Sequence, residues 1–199
     1  MFDKIFSSRW FRHSGLRLQL LMGKYGPYFD MSDREKMISL ALRFARIHKI
    51  EGNYYEFSLG EGYTFGNAIA ISKHLGMDIG FNAFDSFHGI PETTGIDISD
   101  QFKKGDYAFS KETFLKNIPK TKRLTIVEGW YKDTLTEELK NKMNPAAVVW
   151  IDCDLYESTI QVLNWITHKL VEGSILIFDD WYCFKGDPTK GEAAAFEDW

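Results

Sequence analysis

The chain has 199 residues, 44% apolar and 26% charged, with a net charge of −4; this fits one globular domain with a full core. Mild acidity gives no general argument for nucleic acid. No stretch approaches the ~20 apolar residues of a transmembrane helix, and the N-terminus lacks the cleavage pattern of a secretory signal. Only Cys153 and Cys183 are present, which argues against a disulfide framework and makes the reducing cytoplasm the expected location.

Residues 1–31 read as an irregular or helical extension, closed by the turn residues Gly26-Pro27. The extension is basic: Lys4, Arg9, Arg12, Arg17 and Lys24 occur with no acid between Asp3 and Asp30, beside Trp10 and Phe11. Such a segment suits a lid over a site or a contact with a partner, including a second copy of the chain, and a membrane-surface helix is the sharper alternative. Ser32 and Glu35 are spaced as a capping box, and Met37, Leu40, Ala41, Phe44, Ala45 and Ile47 then repeat at helical spacing as a buried face.

An alternating rhythm follows. Strands are expected at Tyr54–Leu59, Ile79–Phe84, Arg123–Val127, Ala146–Ile151 and Ser174–Phe178. Helices are expected at Thr64–Leu75, Ser110–Ile118, Thr134–Lys142 and Ser158–Leu170, with a long loop through Gly89, Pro91 and Gly95. This pattern predicts an α/β, Rossmann-like, doubly wound and mostly parallel sheet in one domain, residues 32–199. Gly191 to Trp199 reads as a helix just begun, so the domain is expected to be C-terminally short and to lack its last strands.

Two acidic groups close apolar strands: Asp152-Cys153-Asp154 after Ala-Ala-Val-Val-Trp-Ile, and Asp179-Asp180 after Ser-Ile-Leu-Ile-Phe. On one edge of a parallel sheet such carboxylates need a positive partner, and a hard cation with oxygen ligands is the natural one. The first strand ends in Glu56-Phe57-Ser58-Leu59-Gly60-Glu61-Gly62, before a helix that Thr64 is placed to cap. Asp85 ends the second strand, where nucleotide-binding folds hold a ribose. The spacing G-x-G-x-x-G is incomplete because Phe65 stands at its last position. A mononucleoside ligand without a pyrophosphate, such as S-adenosyl-L-methionine, does not need that third glycine.

The successive motifs Phe84-Asp85-Ser86-Phe87-His88-Gly89-Ile90-Pro91, Gly129-Trp130-Tyr131-Lys132-Asp133-Thr134-Leu135, Asp152-Cys153-Asp154-Leu155-Tyr156-Glu157-Ser158-Thr159 and Asp179-Asp180-Trp181 resemble the macrocin O-methyltransferase (TylF-like) family. The resemblance runs from about Ser32 to the end. It implies a class I methyltransferase using S-adenosyl-L-methionine and Mg²⁺ on sugar hydroxyls of natural products or glycans. It places the donor on Glu56, Ser58, Gly62 and Asp85, with Gly60, Glu61, Ser86 and Phe87 in the same turns and Glu128, Gly129 and Trp130 near the adenine. It places the cation on Asp152, Asp179 and Asp180. The family usually has glycine where Ser58 stands, and normally continues beyond position 199.

The chemistry so implied is methyl transfer to one of two vicinal hydroxyls, with Asp152 as cation ligand and catalytic base. For Asp154, Tyr156 and Ser158, helix capping and loop packing compete with substrate contact. Loop bracing is the simpler role for His88, and His13, His48, His74 and His168 show no ligand spacing. Trp181 and Tyr182 suit either a sugar-stacking wall or ordinary packing. Rival readings are a glycosyltransferase using Asp152-x-Asp154, a phosphatase with Asp152 as nucleophile, and a non-catalytic donor-binding domain.

Overall fold

The computed structural model describes residues 32–199. The extension, with its basic residues, Trp10, Phe11 and the Gly26-Pro27 turn, lies outside them. Helix α1 (Asp33–Ile47) opens on a complete capping box: Glu35 N–H donates to Ser32 Oγ at 3.3 Å, and Ser32 N–H donates to Glu35 Oε2 at 2.7 Å. Its buried face differs from the one the apolar spacing predicts. Ile38, Ala41, Leu42 and Ala45 are buried, whereas Met37, Leu40, Phe44 and Ile47 are exposed. Two adjacent apolar stripes share Ala41 and Ala45, and packing against the next helix and the sheet selects between them.

After α1 come β1 (Asn53–Phe57), α2 (Tyr63–His74), β2 (Phe81–Asp85), α3 (Lys111–Asn117) and β3 (Leu124–Glu128). Two short helices, α4 (Tyr131–Thr134) and α5 (Glu137–Lys142), replace the single helix expected there. Thr136 breaks the run and caps α5, its hydroxyl accepting from Leu139 N–H at 3.2 Å. Then follow β4 (Ala146–Ile151), α6 (Tyr156–Ile166), β5 (Leu170–Phe178) and α7 (Gly191–Asp198).

The five strands are all parallel, in the order β3-β2-β1-β4-β5. Every residue of β4 is buried, as expected for a strand covered on both faces. Tyr54 and Trp150 belong to the core shared with α1 and α2, while Tyr55, Phe57 and Ile151 belong to the core shared with α6. Each such fully buried large side chain contributes ~2 kcal/mol. Strand β5 begins four residues earlier than expected, because Gly173 (φ +89°) sits in a bulge instead of a turn. Ser174 Oγ closes that bulge, accepting from Val171 N–H and donating to Ala146 O.

Pairing matches Phe84 with Phe57, Phe57 with Ile151, and Ile151 with Phe178. The next residues, Asp85, Ser58, Asp152 and Asp179, therefore lie along one edge of the sheet. The strand order reverses between β1 and β4, and ligands of open α/β sheets bind at that crevice.

Candidate active site

At this edge lies a cavity of about 330 Å³. One end is built by the β1–α2 turn. Ser58 (φ +65°) and Gly60 (φ +50°) take left-handed conformations there, which cost a residue with a Cβ ~1 kcal/mol. This is why glycine suits position 58. Gly62 caps α2 without a side chain, and a Cβ on it would lie 2.9 Å from both Ile118 Cγ2 and Phe114 Cδ2. Thr64 is not the cap: its hydroxyl donates to Glu56 Oε1 at 2.6 Å.

Glu56 is fully buried, accepting also from Tyr54 OH at 2.5 Å, and burial pushes its carboxyl up to about 8. It braces β1 against α2 from behind the turn and does not line the cavity. Asp85 does line it. Its Oδ2 accepts Leu59 N–H and its Oδ1 accepts Phe87 N–H, both at 2.7 Å, so it joins the two loops. Burial raises its pKa, against the opposing effect of those amides. Ser58, Gly60, Ser86, Gly129 and Trp130 line the cavity as well, whereas Glu61, Gly62, Phe87 and Glu128 do not. Glu128 pairs with Lys111 at 2.7 Å, Phe87 packs toward Phe114, and the Glu61 carbonyl accepts from Asn117.

At the other end, carboxylate oxygens of Asp152, Asp179 and Asp180 all lie within 4.8 Å of one another. Burial and the charges of Asp179 and Asp180 hold the Asp152 carboxyl well above the usual range. Asp154, at φ +55°, is pushed up to about 8 by burial and by Asp180. Three acids crowded this way and lined up with oxygen donors fit a hard divalent cation.

Arg34, which the sequence pattern did not single out, answers this charge. It donates Nε–H to Asp179 Oδ1 at 2.7 Å and a second N–H to Oδ2. No lysine lines the cavity among the described residues, so a phosphatase reading lacks the lysine it wants.

Between the two ends, Tyr131 OH lies 3.0 Å from Ser58 Oγ and 3.7 Å from Cys153 Sγ. Burial holds both the phenol and the thiol protonated, their pKa values well above normal. Ile90, Pro91, Tyr107 and Phe109 of the long loop form a wall. His88 braces that loop, its Nδ1 lying 2.6 Å from Ser86 O. Trp181 packs on Phe178 and Phe196, and Tyr182 is largely exposed. Ser158 lines the cavity and Tyr156 OH donates to Asp198. The cap of α6 comes instead from Asp97, whose carboxylate accepts Tyr156 N–H at 2.7 Å and Glu157 N–H at 2.9 Å.

A family model described as macrocin-O-methyltransferase (TylF) matches residues 30–192. Among solved structures, the O-methyltransferase NovP is 24% identical, over 82% of this chain and 72% of its own, with a TM-score of 0.66. The calicheamicin methyltransferase CalS11 is 22% identical, over 94% of this chain and 82% of its own, with a TM-score of 0.66. Its apo structure, described as a TDP-rhamnose 3'-O-methyltransferase of calicheamicin biosynthesis, is 22% identical over 94% and 83%, with a TM-score of 0.56. An O-methyltransferase from Bacillus cereus in complex with SAH is 16% identical over 94% and 76%, with a TM-score of 0.51. At these identities the likeness speaks for the fold. No curated protein matches the chain.

Proposed function

Because this chain belongs to the macrocin-O-methyltransferase family, whose model spans residues 30–192, we propose that it is an S-adenosylmethionine- and Mg²⁺-dependent O-methyltransferase acting on one of two adjacent hydroxyls of a sugar. O-Methyl transfer follows from the family, while the cation and the acceptor are our reading. The observation that carries it is the cluster of three carboxylates, Asp152, Asp179 and Asp180, of which Asp152 and Asp180 line a cavity whose opposite end is the glycine turn and Asp85.

In this reading the donor lies over Ser58 and Gly60, and its ribose hydroxyls reach Asp85. The two amides on Asp85 use one lone pair of each oxygen, so acceptor capacity remains. Gly129 and Trp130 border the adenine. When bound, a divalent cation on Asp152, Asp179 and Asp180 supplies a Lewis acid that lowers the pKa of an adjacent hydroxyl. Asp152 takes the hydroxyl proton. Tyr107 and Phe109 offer flat apolar faces to a sugar ring. The description of CalS11 as acting on TDP-rhamnose supports a nucleotide-linked sugar as acceptor.

Residues 32–199 form the methyltransferase domain in this proposal. The extension, residues 1–31, serves as a lid or a partner contact in the same proposal. A cytoplasmic location belongs to the same proposal; separately, no helix among the described residues is long and apolar enough to cross a membrane.

Calorimetric titration with SAH, then methyl transfer to a panel of nucleoside-diphosphate deoxysugars followed by mass spectrometry, tests this reading. We expect micromolar SAH binding, transfer that stops with EDTA, and an Asp152→Asn variant that binds SAH but does not turn over. Absent SAH binding overturns the donor assignment, and transfer unaffected by EDTA overturns the cation.

A further inference from the structure

The sheet's hydrogen-bond ladder ends one residue beyond the strands. Asp152 N–H donates to Phe57 O at 3.1 Å and Asp179 N–H to Ile151 O at 2.9 Å. The next amides along these two chains, Cys153 and Asp180, have left the sheet. A single side chain receives both: Glu192 Oε1 accepts Cys153 N–H at 3.2 Å, and Oε2 accepts Asp180 N–H at 2.9 Å.

Glu192 is fully buried on α7. Burying a carboxylate beside Asp154 and Asp180 is unfavourable, yet only a carboxylate presents two acceptors and no donor to two converging amides. The approach is close. A Cβ on Gly191 would lie 2.8 Å from Asp154 O and 2.7 Å from Phe184 Cε2, and Gly191 adopts φ +56°. Ala195, fully buried on the same helix, seats α7 in the core shared with α6.

We propose that Glu192 is a positioning residue that clamps the ends of β4 and β5 together and so fixes the spacing of Asp152 and Asp180 for a divalent cation. The inference rests on the cation reading above.

Titration of the purified chain with Mn²⁺, and separately with SAH, tests it. Glu192→Gln turns an amide N–H₂ toward one of the two main-chain donors. It is expected to weaken Mn²⁺ binding by about tenfold or more, as losing a group that orients ligands does, while SAH affinity stays within about twofold. Gly191→Ala keeps the glutamate's chemistry but pushes α7, and Glu192 with it, off Asp154, and is expected to weaken Mn²⁺ in the same direction. It decides the matter where Glu192→Gln does not fold. Asp97→Asn, another buried carboxylate on two main-chain amides, is the control and leaves Mn²⁺ affinity unchanged. Unaltered Mn²⁺ binding in both α7 variants overturns the clamp, as does an equal loss in Asp97→Asn. A wild-type chain that binds no Mn²⁺ overturns the cation reading and the clamp together.

Discussion

Replacing Glu56 by glutamine should change how stability depends on pH and leave donor binding alone. Burial raises this carboxyl from 4.5 to about 8 in the folded chain. The folded state therefore holds the proton more tightly than the unfolded one. The resulting stabilisation is complete below the unfolded value and is lost as pH rises through about 8. Each unit of that window is worth about 1.4 kcal/mol. Allowing for the curvature near the folded pKa, the loss between pH 6 and pH 8 is ~2 kcal/mol from this residue alone. Glutamine imitates the protonated acid: the hydroxyls of Tyr54 and Thr64 rotate to suit it, and it has nothing to titrate. Urea unfolding in EDTA at pH 6 and pH 8 should show a fall in the wild type that is ~2 kcal/mol larger than in Glu56→Gln. SAH affinity should be the same within about twofold, since Glu56 stands behind the turn and outside the cavity. A variant that keeps the full wild-type pH dependence would refute the assignment of this titration to Glu56.

Arg34→Gln should tighten Mn²⁺ binding by about tenfold, because Asp179 loses its resident counter-charge and the entering ion no longer competes with it. Weaker binding by calorimetry would show that Arg34 supports the cation instead. Gly62→Ala should destabilise the chain by ~2 kcal/mol, since the new Cβ meets Phe114 and Ile118 in a left-handed backbone. It should also weaken SAH binding, because the turn over the cavity must move; thermal melts with and without SAH check both. Asp97→Ala should cost ~1–3 kcal/mol in urea unfolding by leaving two amides of α6 without their acceptor.

The order of elements was readable because strand and helix periods alternate cleanly, and β4 has the bounds its apolar run predicts. That Asp85, Asp152, Asp179 and Asp180 gather at one edge was readable because each closes a strand, and parallel strands bring their ends together. Where local pattern misled, packing decided. Gly173 has the look of a turn but bulges within β5, and the apolar stripe of α1 was assigned one face too far round. The residues missed altogether are those whose meaning lies far along the chain. Asp97 caps a helix 59 residues away, Arg34 meets its carboxylate at a separation of 145, and Glu192 reaches back 39 residues to Cys153. Each is an ordinary charged residue in its local window. Only the folded chain gives it a partner.

What distinguishes this edge from the opposite one is the coincidence of two kinds of cost. The left-handed non-glycine residues Ser58, Phe87 and Asp154 follow β1, β2 and β4 within three residues of each strand's end. Each carries roughly 1 kcal/mol of backbone strain. The same edge gathers Asp152, Asp154, Asp179, Asp180 and Glu192, with Arg34 paired to Asp179, and burial with mutual repulsion raises the pKa of Asp152, Asp154 and Glu192. A sheet that needed only to be stable would shed both costs, with glycine at the three turns and neutral side chains at the strand ends. Strain alone could be a by-product of tight turns, and charge alone could be relieved by protonation. Found together around one cavity, they describe an edge whose stability is completed by what it binds. Adding Mn²⁺ should accordingly raise the melting temperature more at pH 8 than at pH 6, because Asp154, pushed up to about 8, is ionised beside the cation only at the higher pH, and an equal rise at both would separate Asp154 from the cation.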